Sequence, residues 1–244
     1  MNKNKSLTIA WLYPKEMNLY GDRGNIIALS YRCKKRGIKL DVQKIGIGDS
    51  FNSNKIDLVF FGGGQDKQQI AVAKDLQTKK QQIINFYNSN KPLLAICGGY
   101  QLLGDCFITN DKKKILGLKI FNLMTIGSEK RMIGNVVINS EKLKMQIIGF
   151  ENHSGKTCLE DKKLSLGTVL TGFGNNGEDK TEGIIANNFI GTYMHGPLLP
   201  RNPKLADWFI QKALEIKYGE KINLANIDDD FENKARKYIE NIKK

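Results

Sequence analysis

The sequence predicts an α/β fold with a doubly wound, mainly parallel sheet, helices on both faces and an antiparallel extension. Strand-like apolar runs alternate with helix-like segments through the N-terminal half, which is the pattern of parallel βαβ units. Glycines follow several of the apolar runs, where the chain has to turn from a strand into a helix. After Cys106, strand-like runs follow one another without intervening helices, which indicates antiparallel pairing.

The N-terminal half supplies the elements of the parallel sheet. Apolar or alternating runs predict strands over Leu7–Tyr13, Ile38–Ile45, Ile56–Phe61 and Pro92–Ile96. Apolar residues at helical spacing predict helices over Arg23–Arg36, Gln68–Tyr87 and Tyr100–Leu103. Gly37 is a stop signal for the first helix, and the segment Gly46–Asn54 is predicted as a turn-rich loop.

The C-terminal half begins with strand-like runs and ends with helices. The runs are Ile133–Ile138, Met145–Phe150, Thr168–Leu170 and Gly183–Tyr193, joined by polar loops such as Gly172–Thr181. Helices are predicted over Lys204–Lys217 and over Asp228–Ile242, where the opening aspartates suit a helix N-terminus. No repeat or long linker is evident, so we expect a single domain over residues 1–244, with a core over about 7–208 and C-terminal helices over about 204–242.

The four cysteines are irregularly spaced and form no C-x-x-C pair: Cys33, Cys97, Cys106 and Cys158. This pattern predicts neither a metal site nor a disulfide framework, and reduced thiols fit a cytoplasmic protein. The basic segment Met1–Lys5 precedes an apolar run, as in a signal peptide, but Pro14 closes that run and no small-residue cleavage site follows. We therefore expect a first strand there. No apolar run reaches the roughly 20 residues that cross a bilayer.

The formal net charge of +13 has two interpretations. A surface for nucleic acid, an anionic membrane or an acidic partner is one of them. The other is a lysine-rich composition spread over solvated faces, since basic groups such as Lys112–Lys114 are short. The sequence contains no basic stripe interleaved with aromatic residues of the kind that stacks bases, which favours the second interpretation.

The segment Ala95–Gln101 predicts a cysteine nucleophile. An apolar strand ends at Cys97, two glycines follow and a helix begins, so the thiol lies on a sharp strand–turn–helix bend. The free N–H groups and the dipole of a helix N-terminus stabilise a thiolate, the reactive form of cysteine. The alternative is a buried packing cysteine. We expect that role for the other three cysteines, which lack this setting.

A thiol nucleophile needs a base, and the chain holds two histidines, His153 and His195. Both follow strand-like runs, and each could instead be a hydrogen-bonded structural residue. We favour His195, because it lies at a strand end, where the carboxyl edge of a parallel sheet places its site. No carboxylate follows His195 within two residues, so the sequence does not identify a group that orients the imidazole.

Acyl transfer also needs hydrogen-bond donors for a developing oxyanion. The glycine run Gly62–Gly64 ends a neighbouring predicted strand and permits close approach of the backbone. The N–H groups of Gly63 and of Gly98, which follows the nucleophile, are the predicted donors. The segment Ser154–Thr157 imitates the end of a phosphate loop, but its glycine spacing is wrong and no helical pattern follows, so no ATP site is predicted.

These motifs resemble those of class I glutamine amidotransferases, which have a flavodoxin-like fold. The segment Ala95–Gly104 is similar to the nucleophile elbow of their cobyric-acid-synthase-like (CobB/CobQ-like) branch. Further segments are similar to the glutaminase subunits of lipid II isoglutaminyl synthase within that branch: Leu19–Asn25, Gly62–Asp66, Gly149–His153 and Tyr193–Pro197. The resemblance runs from about Leu7 to Trp208. The elbow is specific to the superfamily, and the combination of the other segments is specific to the subgroup.

The resemblance implies roles for the candidate residues. Cys97 would attack the side-chain amide of glutamine, with His195 as its base and the glycine N–H groups as the oxyanion hole. Arg131 would bind the substrate α-carboxylate, an anion that suits a guanidinium fork, although a solvated surface charge is the alternative. Many class I enzymes carry a glutamate two residues after the histidine. This chain has Pro197 there, as is common in this branch.

The resemblance also implies a partner, because a glutaminase without a visible nucleotide site has to pass its ammonia to another polypeptide. That partner would be MurT, a Mur-ligase-like subunit, and the heterodimer would amidate the D-glutamate of lipid II to D-isoglutamine in peptidoglycan synthesis. ATP and Mg are expected on the partner, and no cofactor is expected in this chain.

Two alternatives stay open: another cysteine hydrolase of the same elbow type, acting on peptides or small molecules, and a non-catalytic basic binding protein.

Overall fold

The computed structural model describes residues 5–241. The strands are β1 (Ser6–Leu12), β2 (Lys39–Ile45), β3 (Leu58–Phe61), β4 (Leu93–Ile96), β5 (Cys106–Ile108), β6 (Lys114–Leu116), β7 (Leu123–Ser140), β8 (Met145–Leu159), β9 (Gly167–Thr171), β10 (Thr181–Glu182), β11 (Ile184–Ala186) and β12 (Phe189–Thr192). The helices are α1 (Arg23–Lys35), α2 (Asp66–Asn88), α3 (Gly98–Leu102), α4 (Leu198–Arg201), α5 (Pro203–Tyr218) and α6 (Asp230–Asn241). Short 3₁₀ turns lie at Leu19–Gly21, Ser53–Lys55 and Lys162–Leu164.

The first sheet has six strands in the order β11-β12-β4-β3-β1-β2. All of its pairs are parallel except β11 with β12. Helices lie on both sides, with α1 against α5 and α2 against α3. Strands β3, β4 and β12 are buried along their whole length, as expected for strands covered on both faces. The predicted α/β fold with a doubly wound, mainly parallel sheet is therefore confirmed.

The second sheet also has six strands, in the order β10-β9-β7-β5-β6, with β8 paired to β7. Its pairs are antiparallel except β5 with β7. Burial alternates along most of β8, so one face of the long β7–β8 hairpin packs inward and the other faces solvent. Most of the predicted antiparallel strands thus form a sheet of their own, and only β11 extends the first sheet.

Several boundaries differ from the sequence prediction for identifiable reasons. The runs Ile133–Ile138 and Met145–Phe150 are parts of the longer strands β7 and β8, whose pairing shifts register between Gly127 and Met132. The polar residues at that shift hide the alternation of β7 from the sequence. The run Gly183–Tyr193 divides into β11 and β12 at a turn where Asn187 has φ 52°.

Helices α1 and α5 end where glycine permits a left-handed turn. Gly37 after α1 has φ 67°, and Gly219, the C-cap of α5, has φ 66°. The predicted ends Met1 and Ile242 lie outside the described residues. None of the helices within the described part of the chain is long and apolar enough to cross a membrane.

The topology brings three predicted segments to one edge of the first sheet. The glycine run follows β3, Cys97 follows β4, and the segment leading to His195 follows β12, and these three strands are neighbours. Because neighbouring parallel strands end at the same edge, residues distant in sequence meet there.

Candidate active site

Cys97 lies on the bend between β4 and α3, as predicted. Its backbone has φ 49° and ψ −104°, a conformation that L-residues rarely adopt and that the surroundings must enforce. The Cys97 N–H donates to Thr192 O at 2.8 Å, and its carbonyl accepts from the Gln101 N–H at 2.9 Å. Only 8% of the residue is exposed. The bend is therefore fixed both by the neighbouring strand and by the helix that it opens.

Small residues are required around this bend. A β-carbon added to Gly99 would lie 2.7 Å from the carbonyl oxygen of Phe61, which is a backbone atom that cannot move aside easily. A β-carbon on Gly63 would lie 2.8 Å from His195 Cε1 and 3.3 Å from Cys97 Cβ. Gly63 thus occupies the narrow space beside both the nucleophile and the imidazole, so the structure brings these three predicted site residues together.

His195 is completely buried, and its backbone is hydrogen-bonded to β8 of the second sheet. The backbone N–H of His195 donates to Phe150 O at 2.8 Å, and its carbonyl accepts from the Phe150 N–H at 3.2 Å. Burial lowers the pKa of His195, but the negative charge of Cys97 and the hydrogen bond to Asp22 outweigh it and raise the pKa to about 10. At neutral pH the ring is therefore an imidazolium, and a positive charge beside a cysteine favours the thiolate, its reactive form.

Asp22 orients the imidazole, and sequence reasoning missed it. Its Oδ1 lies 3.3 Å from His195 Nδ1, and its Oδ2 accepts from the Gly63 N–H at 2.7 Å. The side chain is fully buried. In the sequence Asp22 looks like an N-cap for α1, yet its side chain makes no cap hydrogen bond. The segment Leu19–Asn25 carried the family resemblance, and that was the signal that could have identified this aspartate.

The two predicted oxyanion donors differ in whether another group of the protein already accepts a hydrogen bond from them. The Gly98 N–H lies in the first turn of α3, where backbone donors have no partner within the helix. The Gly63 N–H is engaged by Asp22 in this structure. A role for Gly63 as an oxyanion donor therefore requires Asp22 to release it. Whether either donor serves the reaction stays a prediction.

His153 has a different environment from His195. It lies on β8, where Nδ1 is 2.8 Å from the carbonyl oxygen of Gly155 and the ring stacks on Tyr193 with centroids 3.6 Å apart. Its Nε2 is 3.7 Å from Glu151 Oε2. These contacts are those of a hydrogen-bonded structural histidine, although His153 also lines the cavity that contains Cys97.

That cavity has a volume of about 500 Å³. Cys97 and Arg131 both line it, so the nucleophile and the predicted carboxylate ligand share one space. Arg131 stands at the register shift of β7 and donates from Nη2 to Asn152 Oδ1 at 2.7 Å and from Nε at 3.1 Å. Asn152 is neutral, so it holds the guanidinium without cancelling its charge. A larger cavity, of about 860 Å³, is lined by residues such as Trp208 and none of the candidates.

The remaining cysteines do not all have the predicted packing role. Cys33 is completely buried, and burial raises the pKa of its thiol to about 12. Cys106 is buried as well, but Cys158 is exposed, because it lies on the solvent-facing side of β8. The prediction of a packing role was wrong for Cys158. All four cysteines are free thiols.

Comparison with solved structures supports the fold. A crystal structure of a glutamine amidotransferase superposes with a TM-score of 0.53 at 12% sequence identity, covering 84% of this chain and 98% of that one. At this identity the likeness shows the fold alone.

Comparison with curated proteins gives more similar relatives. The chain is 42% identical to the lipid II isoglutaminyl synthase (glutamine-hydrolyzing) subunit GatD of Streptococcus pneumoniae, over 91% of this chain and 86% of that protein. It is 40% identical to the subunit of the same name from Staphylococcus aureus, over 96% and 94% of the two chains. A probable cobyric acid synthase of Methanococcus vannielii is 32% identical over 62% of this chain and 31% of that protein.

The model of the CobB/CobQ-like glutamine amidotransferase domain matches residues 8–203, a span that contains every candidate residue described above. The chain therefore belongs to the family of CobB/CobQ-like glutamine amidotransferases.

Proposed function

We propose that this chain is the glutaminase subunit of a lipid II isoglutaminyl synthase and hydrolyses L-glutamine to glutamate and ammonia. The observation that carries the proposal is the buried arrangement of Asp22, His195 and Cys97 beside a cavity that also contains Arg131. The two GatD relatives, which match the chain over most of its length, support the same activity.

In the first step the Cys97 thiolate attacks the side-chain carbonyl carbon of glutamine. The oxygen of the tetrahedral intermediate takes the negative charge and accepts a hydrogen bond from the Gly98 N–H. The His195 imidazolium gives its proton to the amide nitrogen, so ammonia leaves and a γ-glutamyl thioester remains. The raised pKa of His195, about 10, supports this role because the ring is protonated at neutral pH.

In the second step the neutral His195 takes a proton from water as the water oxygen attacks the thioester carbon. The Cys97 thiolate is expelled, glutamate is released, and the imidazolium is restored. Asp22 keeps a proton on Nδ1 throughout, so that Nε2 is the nitrogen that exchanges protons with the reacting groups. Arg131 holds the substrate by its α-carboxylate.

The ammonia is used by a partner, which we propose to be a Mur-ligase-like MurT subunit in a cytoplasmic heterodimer. MurT would bind ATP and Mg and amidate the D-glutamate of lipid II to D-isoglutamine. The GatD relatives are named as subunits of that synthase, which supports a partner of this kind. The sequence holds no phosphate loop of matching spacing, which supports placing the ATP-dependent step on the other chain.

The test compares Cys97→Ala with Cys158→Ala, which removes an exposed thiol that does not line the cavity. Glutamate release from glutamine is measured with and without purified MurT. We expect release to increase with MurT, to vanish in Cys97→Ala and to persist in Cys158→Ala. With ATP and lipid II, mass spectrometry should detect the amidated stem peptide. Full activity in Cys97→Ala, or no glutamate release by the wild-type complex, would reject the proposal.

A further inference from the structure

Gln69 is a buried amide beside the nucleophile to which the mechanism above gives no role. It belongs to the first turns of α2, is 2% exposed, and lines the cavity that contains Cys97. A β-carbon added to Gly98 would lie 2.9 Å from both Cδ and Nε2 of Gln69. Since Gly98 directly follows Cys97, the amide group of Gln69 is packed against the elbow itself.

The two ends of this amide have unequal partners. Nε2 donates to Gly64 O at 3.0 Å. Because that acceptor is a carbonyl, the group bonded to it has to be the NH₂ of the amide, which fixes the orientation of the side chain. Oε1 is buried and has no hydrogen-bond partner among residues 5–241. A buried acceptor without a donor is destabilising, and native structures contain few of them.

Glutamine can supply the missing donor, whereas glutamate cannot. The side-chain amide of glutamine carries an NH₂ group, but the carboxylate of the product glutamate has only acceptor oxygens. An acceptor on a side chain that packs against the elbow is therefore matched to the substrate and mismatched to the product. A site built to pair with one hydrogen-bonding group rejects an analogue that lacks it, because the group in the site is left unpaired.

We propose that Gln69 is a substrate-binding and specificity residue whose Oε1 accepts a hydrogen bond from the carboxamide NH₂ of bound glutamine. This inference rests on the proposed glutaminase function. The bond to Gly64 O anchors the side chain on the glycine loop, and its packing on Gly98 places the amide beside the nucleophile. Gln69 thereby favours an amide over a carboxylate or an ester in the site and promotes release of glutamate.

The experiment uses Gln69→Met, which keeps a flexible side chain of similar size but has neither amide group. The kcat/KM is measured for glutamine and for the γ-methyl ester of glutamate, which has the same carbonyl but no N–H. We expect about a 10- to 100-fold loss with glutamine and less than a 3-fold loss with the ester. Where ester turnover is too slow, its inhibition constant against glutamine hydrolysis replaces kcat/KM. The inhibition constant of glutamate should stay unchanged or fall.

The matched control is Gln81→Met, the same substitution on an exposed turn of α2 that does not line the cavity. If Gln69→Met does not fold, as judged by its unfolding midpoint, Gln69→Leu is used, which also lacks both amide groups and should show the same selective loss with glutamine. Equal losses with amide and ester would show a merely structural role and overturn the inference. That outcome leaves the proposed function intact, because the proposed function fails only if the wild type does not release glutamate or Cys97→Ala stays active.

Discussion

Replacing Asp22 by asparagine isolates the group that orients the proposed base. Asp22 accepts from the Gly63 N–H through Oδ2, and its Oδ1 faces His195 Nδ1. In the variant the single side-chain oxygen has to accept the hydrogen bond from the Gly63 N–H, so the new NH₂ group points at Nδ1 of His195. The ring then loses its proton at Nδ1 and carries it at Nε2, where a base has to be free to accept one.

The size of the effect follows from the hydrogen bond between Asp22 and the imidazolium, which the asparagine variant cannot make. A hydrogen bond to a charged group contributes about 1.5–3 kcal/mol, and a buried donor or acceptor left unsatisfied costs about 1–3 kcal/mol more. Since about 1.4 kcal/mol corresponds to a factor of ten in rate, we expect kcat to fall by about 10²- to 10⁴-fold. Because Asp22 is among the groups that raise the pKa of His195, the alkaline limb of the rate profile should also move to lower pH.

The assay is glutamate release by the MurT complex as a function of pH, together with the rate at which iodoacetamide alkylates Cys97. Asp49→Asn is the matched control, because Asp49 also accepts from a glycine N–H, that of Gly46, but in an exposed loop. The control should behave as wild type. A folded Asp22→Asn protein with kcat within 3-fold of wild type and an unchanged pH profile would refute the reasoning.

Three further predictions concern pH, substrate binding and packing. The folded-state pKa of His195, about 10, lies above its ordinary value of 6.5, so its contribution to the free energy of unfolding is complete below about pH 6.5 and is lost as pH rises through 10. Urea unfolding across that range checks this, and a flat profile would contradict it. Asn152→Asp should raise the KM for glutamine about 10-fold with little change in kcat, because a carboxylate neutralises Arg131. An unchanged KM in steady-state kinetics would contradict the role of Arg131 in substrate binding. Gly191→Ala should destabilise the fold by about 1–3 kcal/mol, because its β-carbon would lie 2.3 Å from Tyr100 Cδ2; an unchanged urea midpoint would disprove the clash.

Much of the fold could be predicted from local patterns. The buried strands read as continuous apolar runs, and the glycines after them mark the turns, so the strands β3 and β4 and the elbow at Cys97 were evident. The full length of β7 was not evident from the sequence, because charged residues at its register shift break the alternation that identifies a strand. The exposure of Cys158 was missed for a related reason, since the side of β8 on which a residue lies depends on pairing.

The residues of the candidate site also fall into two groups, those that the sequence identifies and those that only the fold reveals. Cys97 and the glycine run carry their own signal, because a thiol on a strand–turn–helix bend and consecutive glycines are local features. Asp22 has no such local signal in the sequence, because it is separated from His195 by 173 positions in the chain and resembles an ordinary helix cap. Gln69 likewise looks like one of many helix-surface glutamines until α2 is placed against the elbow.

The sequence by itself determined which chemistry is available: a nucleophilic thiol on a bend, two histidines, a glycine loop and an arginine. Only the tertiary structure decided which of these groups meet. Parallel strands end at one edge of the sheet, and that geometry brings Cys97 and His195 together while it leaves His153 stacked on Tyr193. The charge state of His195 is likewise a tertiary property, because it depends on burial and on the two neighbours that the fold supplies.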